Sequence, residues 1–157
     1  WRWHLDEVFV KNNGETHYLW RAIDHEGEVL ESYVTKTRDK SAALRFFKKT
    51  MKRYGAPRTV VTDRLRPYGA AVKEIGNIDR QEVGRHLNNR AEKSHLPLRR
   101  RERTMLRFRR MSNLQKFAST HASFHNHFNL ERHINHRQTF KLRRDAALLE
   151  WRQLVVG

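Results

Sequence analysis

The sequence predicts an α/β fold in which a mixed five-stranded sheet is flanked by helices. Three stretches rich in β-branched and aromatic residues come first and read as strands, at 1–10, 16–24 and 29–37. Short turns join them, and Asn13-Gly14 is a strong hairpin signal because both residues tolerate positive φ. We therefore expect the first three strands to be antiparallel. Helical and strand-like segments then alternate, which indicates a sheet covered by helices.

The later helices and strands are predicted from changes in the spacing of apolar residues along the chain. Apolar residues with helical spacing predict a helix at 38–54, with Asp39 as its N-cap and Gly55 as its end. Further strands are predicted at 58–62 and 81–83, and further helices at 67–75, 88–96 and 144–154. Pro97 is expected to kink or break the helix that begins at Asn88, because proline removes a backbone donor and clashes with the preceding turn.

A further helix is predicted from Ser112 onward. Ser112 and Gln115 match a capping box, in which each side chain satisfies a free backbone N–H of the first turn. Five residues then continue one helical face at alternating spacings of three and four, namely Leu114, Phe117, His121, Phe124 and Phe128. This stripe fits either a buried core or an interface.

Composition limits the partners that the chain is expected to have. Its 157 residues suffice for one domain with a core, and its formal net charge of +16 favours a polyanion, most simply nucleic acid. No apolar run approaches the ~20 residues of a spanning helix, and no signal peptide is visible, so a membrane partner is not expected. The absence of cysteine excludes disulfides and thiolate zinc sites. Because it begins at Trp1, the chain is expected to be part of a longer protein.

Three acids occupy positions where the presence of a carboxylate calls for a structural or functional explanation. Asp6 lies within the first predicted strand, Asp63 ends the fourth, and Glu92 lies on a predicted helix in a strongly basic stretch. Carboxylates that converge in a low dielectric repel one another, so convergence requires a cation, and Mg²⁺ suits such ligands. Spacing alone leaves other acid triples open. Glu7 is set aside because alternation turns it to the opposite strand face, and Asp24 is read as a turn residue.

Four blocks of the sequence carry a family resemblance. They are His4-Leu5-Asp6-Glu7-Val8, Tyr18-Leu19-Trp20-Arg21-Ala22-Ile23-Asp24, Val60-Val61-Thr62-Asp63 and Asn88-Asn89-Arg90-Ala91-Glu92. Together they resemble the signature blocks of bacterial insertion-sequence transposases of the DDE type, closest to family six. The catalytic domain of that family has an RNase H-like fold related to retroviral integrases. The resemblance therefore implies an RNase H-like sheet in which Asp6, Asp63 and Glu92 form the DDE triad.

The same resemblance implies a reaction and its partners. The triad would bind two Mg²⁺ ions, with Mn²⁺ as a possible substitute, for cleavage of DNA at the ends of an insertion sequence and 3′-hydroxyl strand transfer into target DNA. The expected partners are transposon-end and target DNA and a second copy of the chain, as a homodimer or larger synaptic multimer. The expected location is the bacterial cytoplasm, at the nucleoid.

The resemblance also predicts a division of the chain. Residues 1–130 are expected to form the catalytic core, and 131–157 a C-terminal helical extension of the same domain. The helical N-terminal DNA-binding domain of the family is expected to be absent from this chain. Its absence would leave the chain without the part that recognises terminal repeats.

Asn89 and six basic residues near Glu92 are predicted to contact the DNA backbone, and the basic ones are Arg90, Lys93, Arg99, Arg100, Arg101 and Arg103. Arg99 matches the basic position that often follows the glutamate in the family. The alternative is a solvated helix face paired with Glu102. His95 lies three residues after Glu92 on the same helix face, and is predicted to orient the glutamate or a phosphate.

Two other residue groups have simpler interpretations. His121, His125 and His127 resemble a metal cluster, but His127 projects to a different side of the helix, so packing or a polar helix face is preferred. Three tryptophans are able to stack on bases, although strand alternation favours core packing, at Trp1, Trp3 and Trp20.

Two further function classes remain open from the sequence. One is a metal-dependent nuclease of the same fold that cleaves DNA without joining it. The other is a non-catalytic DNA-binding module descended from a transposase. A strand-transfer assay separates the first from a transposase, and replacement of the acids by Asn separates the second.

Overall fold

A mixed five-stranded sheet with helices packed against it organises the chain. The computed structural model describes residues 2–76, 81–84, 88–105, 108–129 and 136–156, without the side chains of residues 90, 92 and 156. The strands are β1 (Arg2–Asn12), β2 (Glu15–Ile23), β3 (Val29–Thr35), β4 (Thr59–Thr62) and β5 (Gln81–Val83). The helices are α1 (Lys40–Tyr54), α2 (Arg66–Ile75), α3 (Asn89–Thr104), α4 (Met111–Phe128) and α5 (Arg137–Val156).

The strand order is β3-β2-β1-β4-β5. The pairs β1–β2 and β2–β3 are antiparallel, whereas β1–β4 and β4–β5 are parallel. The predicted mixed sheet and its initial antiparallel meander are therefore confirmed. Asn13 and Gly14 have φ of 51° and 82°, so the first hairpin turns as its sequence predicts.

One face of the sheet packs against α1 and α2. Trp3, Leu5 and Trp20 are fully buried there with Phe46 and Tyr68. The Trp20 indole N–H donates to the Thr35 hydroxyl at 2.7 Å, which satisfies its polar atom. Core packing is therefore the correct interpretation of these two tryptophans, while Trp1 lies outside the described residues.

The first helix has the predicted ends. The Asp39 carboxylate accepts a hydrogen bond from the Ala42 N–H at 2.7 Å, which makes Asp39 the N-cap of α1. Gly55 follows the last residue with φ of 77°, a backbone conformation that glycine adopts without steric cost. The sequence signals were sufficient here because both act locally.

The other face of the sheet packs against α3 and α4. Val10 and Leu19 are buried there against Leu98 and Leu114. The capping box predicted for α4 is wrong, because α4 begins at Met111 and its N-cap, Arg110, makes no side-chain cap hydrogen bond.

Gln115 instead covers the free edge of the sheet. Its side-chain oxygen accepts from the Val34 N–H at 2.8 Å, and its amide N–H donates to the Ser32 carbonyl at 2.7 Å. Asn126, three turns further along α4, makes the same pair of bonds to the backbone of Val29, at 2.8 and 2.9 Å. Both amides satisfy backbone groups of the edge strand β3, which would otherwise offer a template for pairing with another chain.

Pro97 does not end α3, so the expected break there is wrong. The helix runs through Pro97 to Thr104. Leu98, the next residue, is 1% exposed in the second core, and Arg99 pairs with Glu102 one turn later. Packing of Leu98 and the pairing of Arg99 with Glu102 therefore hold the helix beyond the proline, where local propensity predicts an end.

The stripe predicted on α4 divides between two partners. Leu114, Ala118 and Ala122 are buried toward the sheet, whereas Phe124 is 40% exposed. Phe124 and Phe128 instead contact Trp151 of α5, with ring centroids 5.5 and 5.8 Å away. The helix predicted at 144–154 extends over 137–156.

Candidate active site beside strands β1 and β4

Three carboxylates meet where β4 ends and β1 continues. Oxygen atoms of Asp6, Glu7 and Asp63 all lie within 4.8 Å of one another. The parallel pairing of β1 with β4 covers only the first residues of β1, from Arg2 to His4, and Asp63 directly follows β4. Carboxylates on both faces of β1 can therefore bend around the same free edge and meet there.

Glu7 belongs to this cluster, so its exclusion on the ground of side-chain alternation is wrong. Glu7 and Asp6 do lie on opposite faces of β1. Glu7 pairs with Arg38, which also contacts Phe9 on the same face, whereas Asp6 pairs with His95 of α3 on the other face. Their carboxylates nevertheless converge. Side-chain alternation places Cβ atoms on a sheet but does not separate the tips of side chains at an uncovered edge.

Burial and charge crowding perturb this cluster. The Glu7 side chain is 2% exposed, and burial raises the pKa of Glu7 to about 7, with further increases from Asp63 and Asp6. The Arg38 guanidinium, which pairs with Glu7, acts in the opposite direction on the Glu7 pKa. Burial also raises the pKa of Tyr68 well above its usual range, and the charges of the three carboxylates add to it. Two carboxylates ~5 Å apart repel by roughly 3 kcal/mol at an effective dielectric of ~20.

His95 contacts Asp6. Its Nε2 lies 2.8 Å from Asp6 Oδ2, and both side chains are largely buried, 8% and 14% exposed. Burial lowers the pKa of His95, although its bond to Asp6 opposes this. A neutral His95 that donates through Nε2 therefore holds one oxygen of the Asp6 carboxylate in place. The structure thus places His95 against the first acid of the predicted triad.

Two hydrogen bonds fasten α3 to the sheet beside this cluster. The Asn88 side chain, immediately before α3, donates to the Leu5 carbonyl at 2.8 Å. Arg21, whose Cα lies directly across from Asp6 in the sheet, donates through Nη1 to the Ser94 carbonyl at 2.6 Å. Arg21 is fully buried, and burial lowers its pKa to about 10, so it remains charged at neutral pH.

Glu92 belongs to the first two turns of α3, and its side chain lies outside the described residues. Positions 88, 92 and 95 are spaced by four and three, so they share one stripe of the helix. Residues 88 and 95 of that stripe contact Leu5 and Asp6. The backbone position of residue 92 therefore lies between two contacts to β1.

The predicted DNA-contacting residues lie on α3. Arg99 pairs with Glu102 at 2.8 Å, as its alternative interpretation requires. The side chain of Arg90 lies outside the described residues. The other five are exposed or partly exposed along the helix, namely Asn89, Lys93, Arg100, Arg101 and Arg103.

The histidines of α4 form no metal group in the described part of the chain, where the only such group is the acidic cluster. Burial lowers the pKa of His121 to about 4, with contributions from Arg21 and His125, and burial also lowers the pKa of His125. His127 contacts the Ala147 carbonyl of α5 at 2.7 Å. These histidines pack between helices, in agreement with the interpretation that preferred packing to metal binding. Asp24 is a turn residue, because its carboxylate accepts from the N–H groups of Glu26 and Glu28.

Sequence reasoning missed several residues around the cluster, namely Glu7, Arg21, Arg38, Tyr68 and Asn88. Arg21 and Asn88 lie within the blocks that carry the family resemblance, and that position was the one available signal for them. Arg38 and Tyr68 carried none, since both interact with Glu7 from distant parts of the sequence.

The strand order, with Asp6 within β1 and Asp63 directly after β4, points to one class of protein. A mixed sheet in this order, flanked by helices, is an RNase H-like fold of the kind found in integrase catalytic cores. Residues 1–131 match the family model described as DDE domain, of the IS240 type, and the chain belongs to this family of insertion-sequence transposase domains. None of the described helices has both the length and the apolar character that crossing a membrane requires.

Relatives in bacteria share part of the sequence. The transposase for the insertion sequence-like element IS431mec of Staphylococcus aureus is 33% identical over 100 residues, which cover 60% of this chain and 45% of that protein. An uncharacterized protein of Yersinia pseudotuberculosis is 36% identical over 76 residues, 46% of this chain and 71% of that protein. The chain thus aligns with less than half of the length of the staphylococcal transposase.

Solved structures share the fold. The HTLV-2 integrase catalytic core domain, solved in complex with magnesium in a dimeric form, matches with a TM-score of 0.51 at 14% identity, over 60% of this chain and 63% of that one. A chain of the simian T-cell lymphotropic virus intasome, solved with a PP2A regulatory subunit, matches with a TM-score of 0.61 at 19% identity, over 84% and 50%. At these identities the likeness shows the fold.

Proposed function

We propose that this chain is the catalytic domain of an insertion-sequence transposase that cleaves DNA ends and joins the 3′-hydroxyl to target DNA. Asp6, Asp63 and Glu92 are the proposed metal ligands, for two Mg²⁺ ions, with Mn²⁺ as a substitute. The observation that carries the proposal is the convergence of Asp6 of β1 and Asp63, directly after β4, within 4.8 Å where β4 no longer covers the side of β1. Family membership supports the reaction class.

The residues present fit a hard divalent cation. Every donor in the cluster is a carboxylate oxygen, the ligand type that Mg²⁺ prefers, and the chain has no cysteine to favour a softer metal. The repulsion among the carboxylates also favours a bound cation. When bound in pairs, such ions lower the barrier for in-line displacement at phosphorus by stabilising charge on the attacking and leaving oxygens.

The chain's own residues hold this arrangement. His95 orients the Asp6 carboxylate, while Asn88 and Arg21 hold α3 against the sheet so that residue 92 lies beside β1. Arg38 binds Glu7 and offsets part of the negative charge behind the two aspartates. Catalysis in such a site depends mainly on positioning and electrostatics.

Exposed basic residues of α3 are proposed to contact the DNA backbone. Three of them lie near the end of α3, the helix that contains Glu92, namely Arg100, Arg101 and Arg103. None of these three has a carboxylate partner in the described part of the chain. Contacts of this kind position a duplex without reading its sequence. The net charge of +16 implies that DNA affinity falls steeply as salt rises.

The proposal extends to the assembly and division of the chain. A homodimer or larger synaptic multimer on transposon-end and target DNA is proposed, and a related integrase core has been solved as a dimer. Residues 1–130 are the proposed catalytic core and 131–157 its helical extension, with terminal-repeat recognition by a separate N-terminal domain. The family match over 1–131 supports this division. Action on DNA in the bacterial cytoplasm, at the nucleoid, follows from the same reaction.

The test is Mg²⁺-dependent joining of a labelled, pre-cut DNA end to a plasmid target by the chain. Asp63→Asn should reduce joining by more than about 100-fold, because removing even an outer-shell partner of a metal typically costs 10- to 100-fold. Asp145→Asn is the matched control, since Asp145 is an exposed acid on α5 and the charge change is the same.

Each outcome has a distinct meaning. Joining that is lost in Asp63→Asn but kept in Asp145→Asn supports the proposal. Cleavage of an uncut end without any joining identifies a nuclease of the same fold. DNA binding without metal-dependent chemistry, unchanged in Asp63→Asn, identifies a non-catalytic DNA-binding module and overturns the proposed reaction.

A further inference from the structure

An aromatic ring stands exposed on β1 next to the acidic cluster. Phe9 is 49% exposed although its strand is paired with β2 at this position, where Tyr18 is its partner. On the same face of β1, Trp3 and Leu5 are fully buried and Glu7 is largely buried. Phe9 is therefore the point where the covered part of this face ends.

Two neighbours hold the ring in a defined environment. Tyr18 approaches it edge-on, with ring centroids 5.5 Å apart and an interplanar angle of 63°. The Arg38 guanidinium lies 5.2 Å from the centre of the Phe9 ring, and the same guanidinium pairs with Glu7. One cation thus connects the acidic cluster to the ring.

A single exposed apolar side chain is ordinary on a protein surface and needs no function. Phe9 differs because an aromatic face, a phenol and a guanidinium are assembled two residues along β1 from Glu7 and three from Asp6, which the proposed function assigns to DNA chemistry. Single-stranded nucleic acid is bound by such combinations, in which bases stack on aromatic rings and arginine adds a cation–π contribution.

The distances suit a nucleotide that flanks the reacting phosphate. Strand residues rise by about 3.4 Å each, so Phe9 lies about 7 Å along β1 from Glu7 and about 10 Å from Asp6. Successive phosphates along one DNA strand rise by about 3.4 Å each, so these offsets correspond to about two and three nucleotides. A base reaches the ring face only when it is unpaired, as at a frayed end or after flipping.

We propose that Phe9, supported by Tyr18 and Arg38, is a stacking site for an unpaired nucleobase two or three nucleotides from the phosphate held at Asp6 and Asp63. The proposal rests on the proposed function, since that function places the phosphate. Phe9 is a positioning residue in this scheme. It holds the DNA strand in register with the cluster and accepts any base, because every base has a π face.

The test uses 2-aminopurine, a fluorescent base that is quenched by stacking. The probe is a 20-base-pair duplex with a three-nucleotide 3′ tail that carries 2-aminopurine at one tail position, bound to the whole chain with Ca²⁺ as an oxygen-liganded cation. Phe9→Leu should abolish the quenching at one tail position, and should remove about tenfold of the preference for tailed over blunt duplex. Phe9→Trp should keep both.

Tyr33→Leu is the matched control. Tyr33 is an aromatic residue of the same sheet with a cation over its ring, Lys49 at 5.1 Å, but it lies on β3, two strands from the cluster. It should leave the quenching unchanged. Equal quenching in wild type and Phe9→Leu overturns the stacking site, as does equal loss in Tyr33→Leu.

The stacking site and the proposed reaction fail in different ways. Quenching that depends on Phe9 in a chain that never joins DNA supports the stacking site and removes the reaction. Normal joining by a Phe9→Leu protein with unchanged quenching removes the stacking site alone. Phe9 is half exposed, so Phe9→Leu should fold normally, and a thermal melt verifies this.

Discussion

Replacing His95 by Ala tests whether the cluster depends on an oriented Asp6. His95 Nε2 lies 2.8 Å from Asp6 Oδ2, and the histidine is buried. The substitution removes the donor to Oδ2 and leaves the Asp6 carboxylate held only through Oδ1, which accepts from the Glu7 N–H at 2.9 Å. The hydrogen bonds from the Asn88 side chain to Leu5 and from Arg21 to the Ser94 carbonyl remain, so the helix keeps its place.

The size of the effect follows from the charge of the acceptor. A hydrogen bond to a charged group contributes about 1.5–3 kcal/mol. If that free energy is lost in the transition state, joining slows by about 10- to 150-fold, since 1.36 kcal/mol corresponds to tenfold in rate. His95→Gln keeps an N–H donor of similar reach and should recover part of the rate. A purely structural role predicts no such recovery.

The assay measures the joining rate and its dependence on Mg²⁺ concentration, together with unfolding in urea. His95→Ala should lower the rate and raise the Mg²⁺ concentration needed for half-maximal joining, while the protein remains folded. His136→Ala serves as control, because His136 is an exposed histidine before α5. A His95→Ala protein with the wild-type rate and Mg²⁺ dependence refutes the positioning role.

Four further outcomes follow from the structure. Glu92→Gln should abolish joining if residue 92 supplies the third ligand. Glu7→Gln should reduce joining far less, because it keeps the shape of a residue already held by arginine. A larger loss of joining in Glu7→Gln than in Glu92→Gln would make Glu7 the ligand. Gln115→Ala should lower the unfolding free energy by about 1–3 kcal/mol, because two buried-edge hydrogen bonds are lost; urea melts that match wild type contradict this. Burial lowers the pKa of His121 to about 4, so between about pH 6.5 and 4 the unfolded chain binds more protons than the folded chain. The free energy of unfolding therefore falls as the pH drops through this window. On acidification His121→Leu should lose about 1 kcal/mol less of this free energy than wild type does, after allowance for partial exposure. Arg101→Ala should weaken binding equally to unrelated duplexes and reduce the slope of log affinity against log salt by about 1, as measured by fluorescence anisotropy.

Local chemistry was enough to predict most of the elements. The hairpin at Asn13-Gly14 and the cap at Asp39 formed as expected, because positive φ and a capping carboxylate act within a few residues. Pro97 and Gln115 did not follow local rules. The helix passes through Pro97 because Leu98 is buried beside it, and Gln115 binds the edge strand instead of its own helix.

The acidic cluster shows the same division. Asp6, within the first predicted strand, and Asp63, at the end of the fourth, were predicted from these positions and from the family blocks, and the parallel pairing of β1 with β4 brings them together. Glu7 was set aside on alternation, which describes Cβ directions. Its carboxylate joins the cluster because β4 stops short and leaves the edge of β1 uncovered, a fact about the whole sheet.

The sequence by itself determined the α/β class, the family, the order of the elements and two of the acids, since each depends on residue type and local spacing. The tertiary structure decided which side chains surround those acids. Arg21, Arg38 and His95 come from parts of the chain that meet only after the sheet and α3 have packed. Hydrogen bonds and charges act over a few ångströms, so their partners are set by the folded distance between residues and not by their separation along the chain.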